Sequence, residues 1–200
     1  MLSAGAGLGE SGMVFIPALA VAAMPTIINT HNASYLLMPV VLAMAVGSPL
    51  VGRMLDKFGS KVMVFGGTFL LAIGMLMLSN GSLISALWGF IAAAAVIGLG
   101  LSSLLGAPMR YIMLNEASAA DRTSAQGMIS LFTSIGQLTS SALVGAVVAS
   151  MGGGVKGYSA AYMVIGIIAG IMVVLTLGLK NRQQELSMLE QNGQAVSATE

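Results

Sequence analysis

Long apolar stretches separated by short polar clusters run through most of this 200-residue chain, and their lengths can be measured against a membrane. A helix rises 1.5 Å per residue and the hydrocarbon core is about 30 Å thick, so a spanning helix needs about 20 mostly apolar residues. Ser11 to Thr30 is one such run, closed by Asn29, Thr30, His31 and Asn32, and Asn32 to Gly52 is a second. The charge-free stretch 62–109 is long enough for two helices, and the turn tripeptide Asn80, Gly81, Ser82 divides it. Thr123 to Val155 holds a fifth run that ends in Gly152, Gly153 and Gly154, and Gly157 to Leu179 holds a sixth before Lys180. The pattern predicts an all-α polytopic membrane protein with six transmembrane helices. They are expected at residues 8–29, 34–53, 62–79, 83–106, 123–149 and 159–179, within one membrane domain over 1–180. Residues 181–200 read as a polar cytoplasmic tail.

Composition agrees with lipid as the solvent. Charged residues make up 8% of the chain, against about 25% in soluble domains. Seven Asp/Glu, eight Lys/Arg and one His are too few to cover a water-facing surface. A net charge of +1 offers no basic stripe for phosphates, so a nucleic-acid partner is not expected. The absence of Cys removes disulfides, thiolate catalysis and Cys-based metal sites. The opening MLSAGAGLGESG lacks the basic region of a cleavable secretory signal.

The basic residues also give an orientation. Arg53, Lys57 and Lys61 fall between expected spans two and three, Arg110 and Arg122 between four and five, and Lys180 and Arg182 after six. Only Lys156 falls opposite. The positive-inside rule then assigns both termini and the charged loops to the cytoplasm, in a plasma (inner) membrane.

In GRMLDKFGSK, residues 52 to 61, Gly52 and Asp56 are four apart and stack on one helix face. The small residue would admit a neighbouring helix, Gly59 suits a tight reversal, and Lys61 opens the next span. Topogenic charges around a turn are the plain reading. The longer segment PLVGRMLDKFGSK resembles the loop signature of the major facilitator superfamily, G-x-x-x-D-[RK]-x-G-[RK]-[RK], in its second occurrence between helices eight and nine. Gly52, Asp56, Lys57, Gly59 and Lys61 match, and Ser60 departs from the usual basic residue. The loop APMRYIMLNEASAADRTSAQGMISLFTSIGQ is similar to the family's cytoplasmic entry to helix eleven, with Arg122 ahead of Gly127, Ser130 and Ser134.

The resemblance implies the carboxyl-terminal six-helix half of a transporter, with a small-molecule substrate cavity at the bilayer midplane between two halves. It implies Asp56 as an inner-gate residue that pairs with the other half. It also implies secondary active transport driven by an ion gradient, protons first. The other half would then be missing through a truncated reading frame, a split partner chain or a homodimer. Truncation is the expectation, because span one begins almost at Met1 and no N-terminal copy of the signature occurs. A membrane scaffold or assembly subunit without transport is the alternative function.

Ionisable groups inside spans are costly and default to functional candidates. Glu10 stands at the start of span one, as an interfacial acid or as a proton-coupling group. Gln126 and Gln137 share one side of span five, and either line a polar path or serve as interhelical glue with Ser134, Thr139, Ser140 and Ser141. His31 sits in a wet outer turn. Ala94, Gly98, Ser102 and Gly106 form a small-residue stripe for close packing, and Pro17, Pro25, Pro39 and Pro49 mark bends in spans one and two. Met residues, 16 in all, suit adaptable helix surfaces. An enzyme is not expected. Ser102 and the lone His31 belong to opposite ends of the bundle, no phosphate-binding Gly-rich loop or metal cluster is present, and no cofactor is implied.

Overall fold

Proline and glycine set where the helices begin and end. The computed structural model describes residues 2–26, 28, 32–105, 122–176 and 178, with side chains from Gly7 onward. Its elements are α1 (Leu2–Val14), α2 (Ile16–Ala23), a short 3-10 helix (Ala33–Leu37), α3 (Met38–Phe58), α4 (Ser60–Ser79), α5 (Gly81–Ile84), α6 (Leu87–Leu105), α7 (Arg122–Ser150) and α8 (Gly154–Thr176). Among the described residues there is no strand. Among the described residues five helices are long and apolar enough to cross a membrane: α3 with its preceding 3-10 turn, α4, α6, α7 and α8. A shorter apolar stretch, Gly7–Ala23, precedes them.

The first expected span is therefore two helices, divided at Phe15. Pro17 lies in the first turn of α2, where it has no N–H to offer the Met13 carbonyl and its ring crowds the preceding turn. Helix ends at Ala23 rather than at residue 29, because Met24 precedes Pro25 and is held at φ −132°, ψ 58°. In the second span Pro39 sits in the first turn of α3, where the missing N–H costs nothing, and Pro49 lies within α3 without dividing it. α3 runs on to Phe58, so Arg53, Asp56 and Lys57 are helical, and Gly59 at φ 82° turns the chain into α4. Asn80 caps the short α5 by accepting from the Ser82 N–H at 3.2 Å and the Ser82 hydroxyl at 2.7 Å. Gly152, Gly153 and Gly154 all have positive φ, so α8 starts at Gly154 and carries Lys156 in its first turn. Arg110, Lys180 and Arg182, with the tail 181–200 and His31, lie outside the described residues.

Contact registers give each helix its direction. Gly98 of α6 faces Val40 of α3, and Ser102 faces Gly47, so α3 and α6 run parallel. Gly67 of α4 meets Ser103 of α6 while Gly74 meets Ile97, so α4 and α6 are antiparallel. Gly7 of α1 lies against the backbone of Thr133, Gly136 and Gln137, and Ser11 reaches Ser140 further along α7, so α1 and α7 are parallel. α8 folds back on α7 with Gly157 against Val148, and it packs extensively on α4, with Gly166 against Leu76. Successive passes thus alternate in direction. The alternation puts Arg53, Lys57, Lys61 and Arg122 at one end of the bundle and Lys156 at the other.

The interior gathers Ile16 and Leu19 of α2, Leu71 and Met75 of α4, Phe90, Ile97 and Leu101 of α6, and Tyr162 of α8, all fully buried. Lipid tails solvate apolar side chains as well as a protein core does, so these contacts stabilise through close packing rather than through release from water. Ala94, Gly98 and Ser102 of the expected small-residue stripe are buried on α6, and the latter two let α3 approach. Gly106 lies outside the described residues. Gly52, in contrast, has nothing within 4 Å of where a Cβ would be, so no described helix lies against it. The close-approach glycine of α3 is Gly47.

Candidate functional site on the open side of α1 and α7

α1 is held on three sides by glycine and serine. At Gly9 a Cβ would come within 2.6 Å of Leu101 and 2.9 Å of Leu71, which brings α6 and α4 onto that face. Ser11 is buried against α7, donating to the Leu8 carbonyl at 3.0 Å and sharing a buried hydrogen bond with the Ser140 hydroxyl. Gly12 faces Met75 of α4 and Tyr162 of α8, and the Tyr162 hydroxyl donates to the Gly12 carbonyl at 2.7 Å. Successive residues of a helix are turned by about 100°. Glu10 therefore points along the remaining open direction, half-buried, and Val14 one turn later is 58% exposed.

The depth of Glu10 follows from its neighbour. Gly9 meets Leu71, near the middle of the 20-residue α4, so Glu10 stands about level with the middle of that helix. Among the described residues the other charged side chains cluster at helix ends: Arg53, Asp56 and Lys57 in the last turns of α3, Lys61 and Arg122 in the first turns of α4 and α7, and Lys156 in the first turn of α8. Glu10 is the charged group away from those ends.

Gln137 shares its edge. In parallel helices the residue before a contact position on one helix and the residue after one on the other lie on the same side of the seam, as g and e positions do in a coiled coil. Glu10 precedes Ser11 and Gln137 follows Gly136, so both flank one edge of the α1–α7 seam. Gln137 is half-buried there. Counting about 100° per residue, Gln126, Ser130, Ser134, Gln137 and Ser141 fall within an arc of about 80° on α7. Gln126 is exposed and stands about 16 Å nearer the basic end. The adjoining exposed face of α7 is apolar, with Met128, Leu131, Ile135 and Leu138. Of the 29 residues of α7 only Gly136, Ser140 and Val144 are buried. α3 is similarly open, buried only along Val40, Gly47, Val51 and Leu55.

The loop-signature residues form a separate corner at the basic end. Asp56 is exposed, Lys57 lies over the Phe58 ring with Nζ 5.4 Å from its centroid, and Lys61 is half-buried. Arg122 is exposed at the first residue of α7, and Arg110 falls outside the described residues. The structure thus brings Glu10 and Gln137 to one edge and leaves Gln126, Asp56 and Arg122 toward one end. Among the described residues no three His, Asp or Glu side chains gather to hold a metal ion. Ser102, the one nucleophile the sequence raised, donates to the Leu99 carbonyl at 2.7 Å and is buried against α3. A half-buried carboxylate beside a strip of amides and hydroxyls can take up and release a proton, or hold a cation. Sequence reasoning passed over Tyr162 and the Gly7, Gly9 and Gly12 contacts. The glycine spacing in AGAGLGESG was the available signal for the latter.

The sequence profile of the Major Facilitator Superfamily matches residues 2–195. The chain is similar to an uncharacterized MFS-type transporter, YfiU, of Bacillus subtilis (strain 168), 30% identical over 105 residues, which are 52% of this chain and 20% of that protein. It is also similar to the multidrug resistance protein Stp of Mycobacterium tuberculosis (strain H37Rv), 29% identical over 119 residues, 58% of this chain and 21% of that protein. The matched segments make up about a fifth of each relative.

Proposed function

Because the chain belongs to the Major Facilitator Superfamily, we propose that it acts as the six-helix C-terminal half of a secondary transporter, moving a small molecule by alternating access with protons coupled through Glu10. The observation that carries the coupling is the placement of Glu10, a half-buried acid level with the middle of α4 on the open edge of α1. The openness of α7 and α3 supports a second six-helix half against these two helices, with the Gln126, Ser130, Ser134, Gln137 strip lining the cavity between the halves. The second half is part of the same full-length chain, a split partner or a second copy. The exposed corner at Asp56, Lys57 and Gly59 is in the position of the inner gate. Seven of the eight basic residues then face the cytoplasm of the inner membrane, as do both termini. The name of Stp makes drug-like molecules the first substrates to try.

The test is flux in proteoliposomes carrying the protein with and without a supplied N-terminal half, using ethidium as the first probe. Ethidium movement that collapses when a protonophore dissipates the gradient, and that Glu10→Gln abolishes, supports the reading. Flux equal to that of empty vesicles with every probe and with the partner half present favours a scaffold.

A further inference from the structure

The two residues immediately after Glu10 are tied to two different helices, Ser11 through its side chain and Gly12 through its carbonyl. Ser11 is joined to Ser140 of α7, and Gly12 is joined to Tyr162 of α8. In an unbroken helix the Gly12 carbonyl would be paired with the Ile16 N–H, but Ile16 opens the next helix beyond the break at Phe15, and Pro17 after it has no N–H. The Tyr162 hydroxyl arrives at the turn where the helical ladder is interrupted. The missing Cβ at Gly12 makes room for the Met75 methyl group, which a Cβ would overlap, whereas the Tyr162 ring would stand at an ordinary contact distance of 4.0 Å from it. Both partner hydroxyls are recessed from the surface, with Ser140 and Tyr162 each 1% exposed. Buried hydroxyls are costly without partners, and at either position an apolar residue would fill the space without that cost.

We infer that Ser140 and Tyr162 are positioning residues for Glu10: by holding Ser11 against α7 and the Gly12 carbonyl against α8, they keep its carboxyl on the open edge of α1. The inference rests on the proton-coupling reading of Glu10. The helices packed around α1 carry few groups that could compete for this role. Among the described residues α2 and α6 have no ionisable side chain, α4 has only Lys61, α7 only Arg122, and α8 only Lys156, Tyr158 and Tyr162. Lys61, Arg122 and Lys156 stand in the first turns of their helices. The two pins tie the segment to α7 and to α8, so loss of either one lets it rotate and moves the carboxyl from its half-buried place on the open edge.

Dicyclohexylcarbodiimide tests this, because it modifies carboxyls that sit protonated in apolar surroundings. The native protein in nanodiscs is treated at fixed pH, and modification of Glu10 is followed by mass spectrometry. A water-soluble carbodiimide acting on the exposed Asp56 serves as the control. In Tyr162→Phe and in Ser140→Ala the rate at Glu10 is expected to fall by about fivefold or more, with the Asp56 rate unchanged. Each deletes a single oxygen atom from a different helix, so either folded variant decides the matter. Wild-type modification with unchanged rates in the variants overturns the positioning role and leaves proton coupling standing. A wild-type Glu10 that is not modified at any pH where the protein stays folded overturns both.

Discussion

Gly98 of α6 lies so close to the carbonyl oxygen of Val40 in α3 that a Cβ would overlap it. Backbone cannot retreat as a flexible side-chain tip does, so Gly98→Ala should push the two helices apart and cost about 1–3 kcal/mol. A lowered melting midpoint in detergent would show it. Gly127→Ala on the open face of α7, where nothing lies within 4 Å, is the comparison and should change stability by less than about 0.5 kcal/mol.

The corner between α3 and α4 depends on Gly59, at φ 82° and ψ 171°. That conformation is essentially closed to residues with a Cβ, so Gly59→Ala should destabilise by about 1–3 kcal/mol. Gly52→Ala, seven residues earlier and facing open space, should not. Equal melting midpoints for the two variants would show that the corner relaxes freely.

Membrane sidedness can be read with introduced thiols, since the chain has no Cys. Arg53→Cys and Arg122→Cys should react with an impermeant maleimide from the same side, and Lys156→Cys from the other. Labelling of positions 53 and 122 from opposite sides would contradict the alternating directions of the helices.

Replacing Asp56 with Asn removes a charge that is exposed at the end of α3, so insertion and melting should stay as they are. Transport should fall by about tenfold or more if the carboxylate closes an inner gate through an ion pair with the other half. Proteoliposome flux at matched protein levels measures this, and unchanged flux would reduce the signature to a topology signal.

Much of the bundle is legible in the sequence because hydrocarbon thickness imposes a length. The apolar runs and their polar separators mark α4 and α7 to within two residues of their ends. The fourfold spacing of Ala94, Gly98 and Ser102 reveals a close crossing, although not which helix would cross there. Less was legible where a lipid-facing side and a packed side are equally apolar, because periodicity then carries little information about contacts. Gly52 and Gly47 look alike in the sequence, and only the fold assigns the contact to Gly47. Glu10 stands out as a charge in an apolar setting, whereas its two pins do not. Ser140 is one hydroxyl among several in TSSA, and Tyr162 is an aromatic in an apolar run. Pro17 marks a weak point without saying that Tyr162 would meet it.

The hydrogen bond between Ser11 and Ser140 joins positions 129 residues apart. Ribosomes add roughly 5–20 residues per second, so α1 enters the bilayer on the order of ten seconds before α7 exists. During that interval the serine, and the acid beside it, have no α7 to lean on. A helix made late therefore completes the setting of one made much earlier, and assembly of α1 with α7 cannot proceed simply from one hairpin to the next.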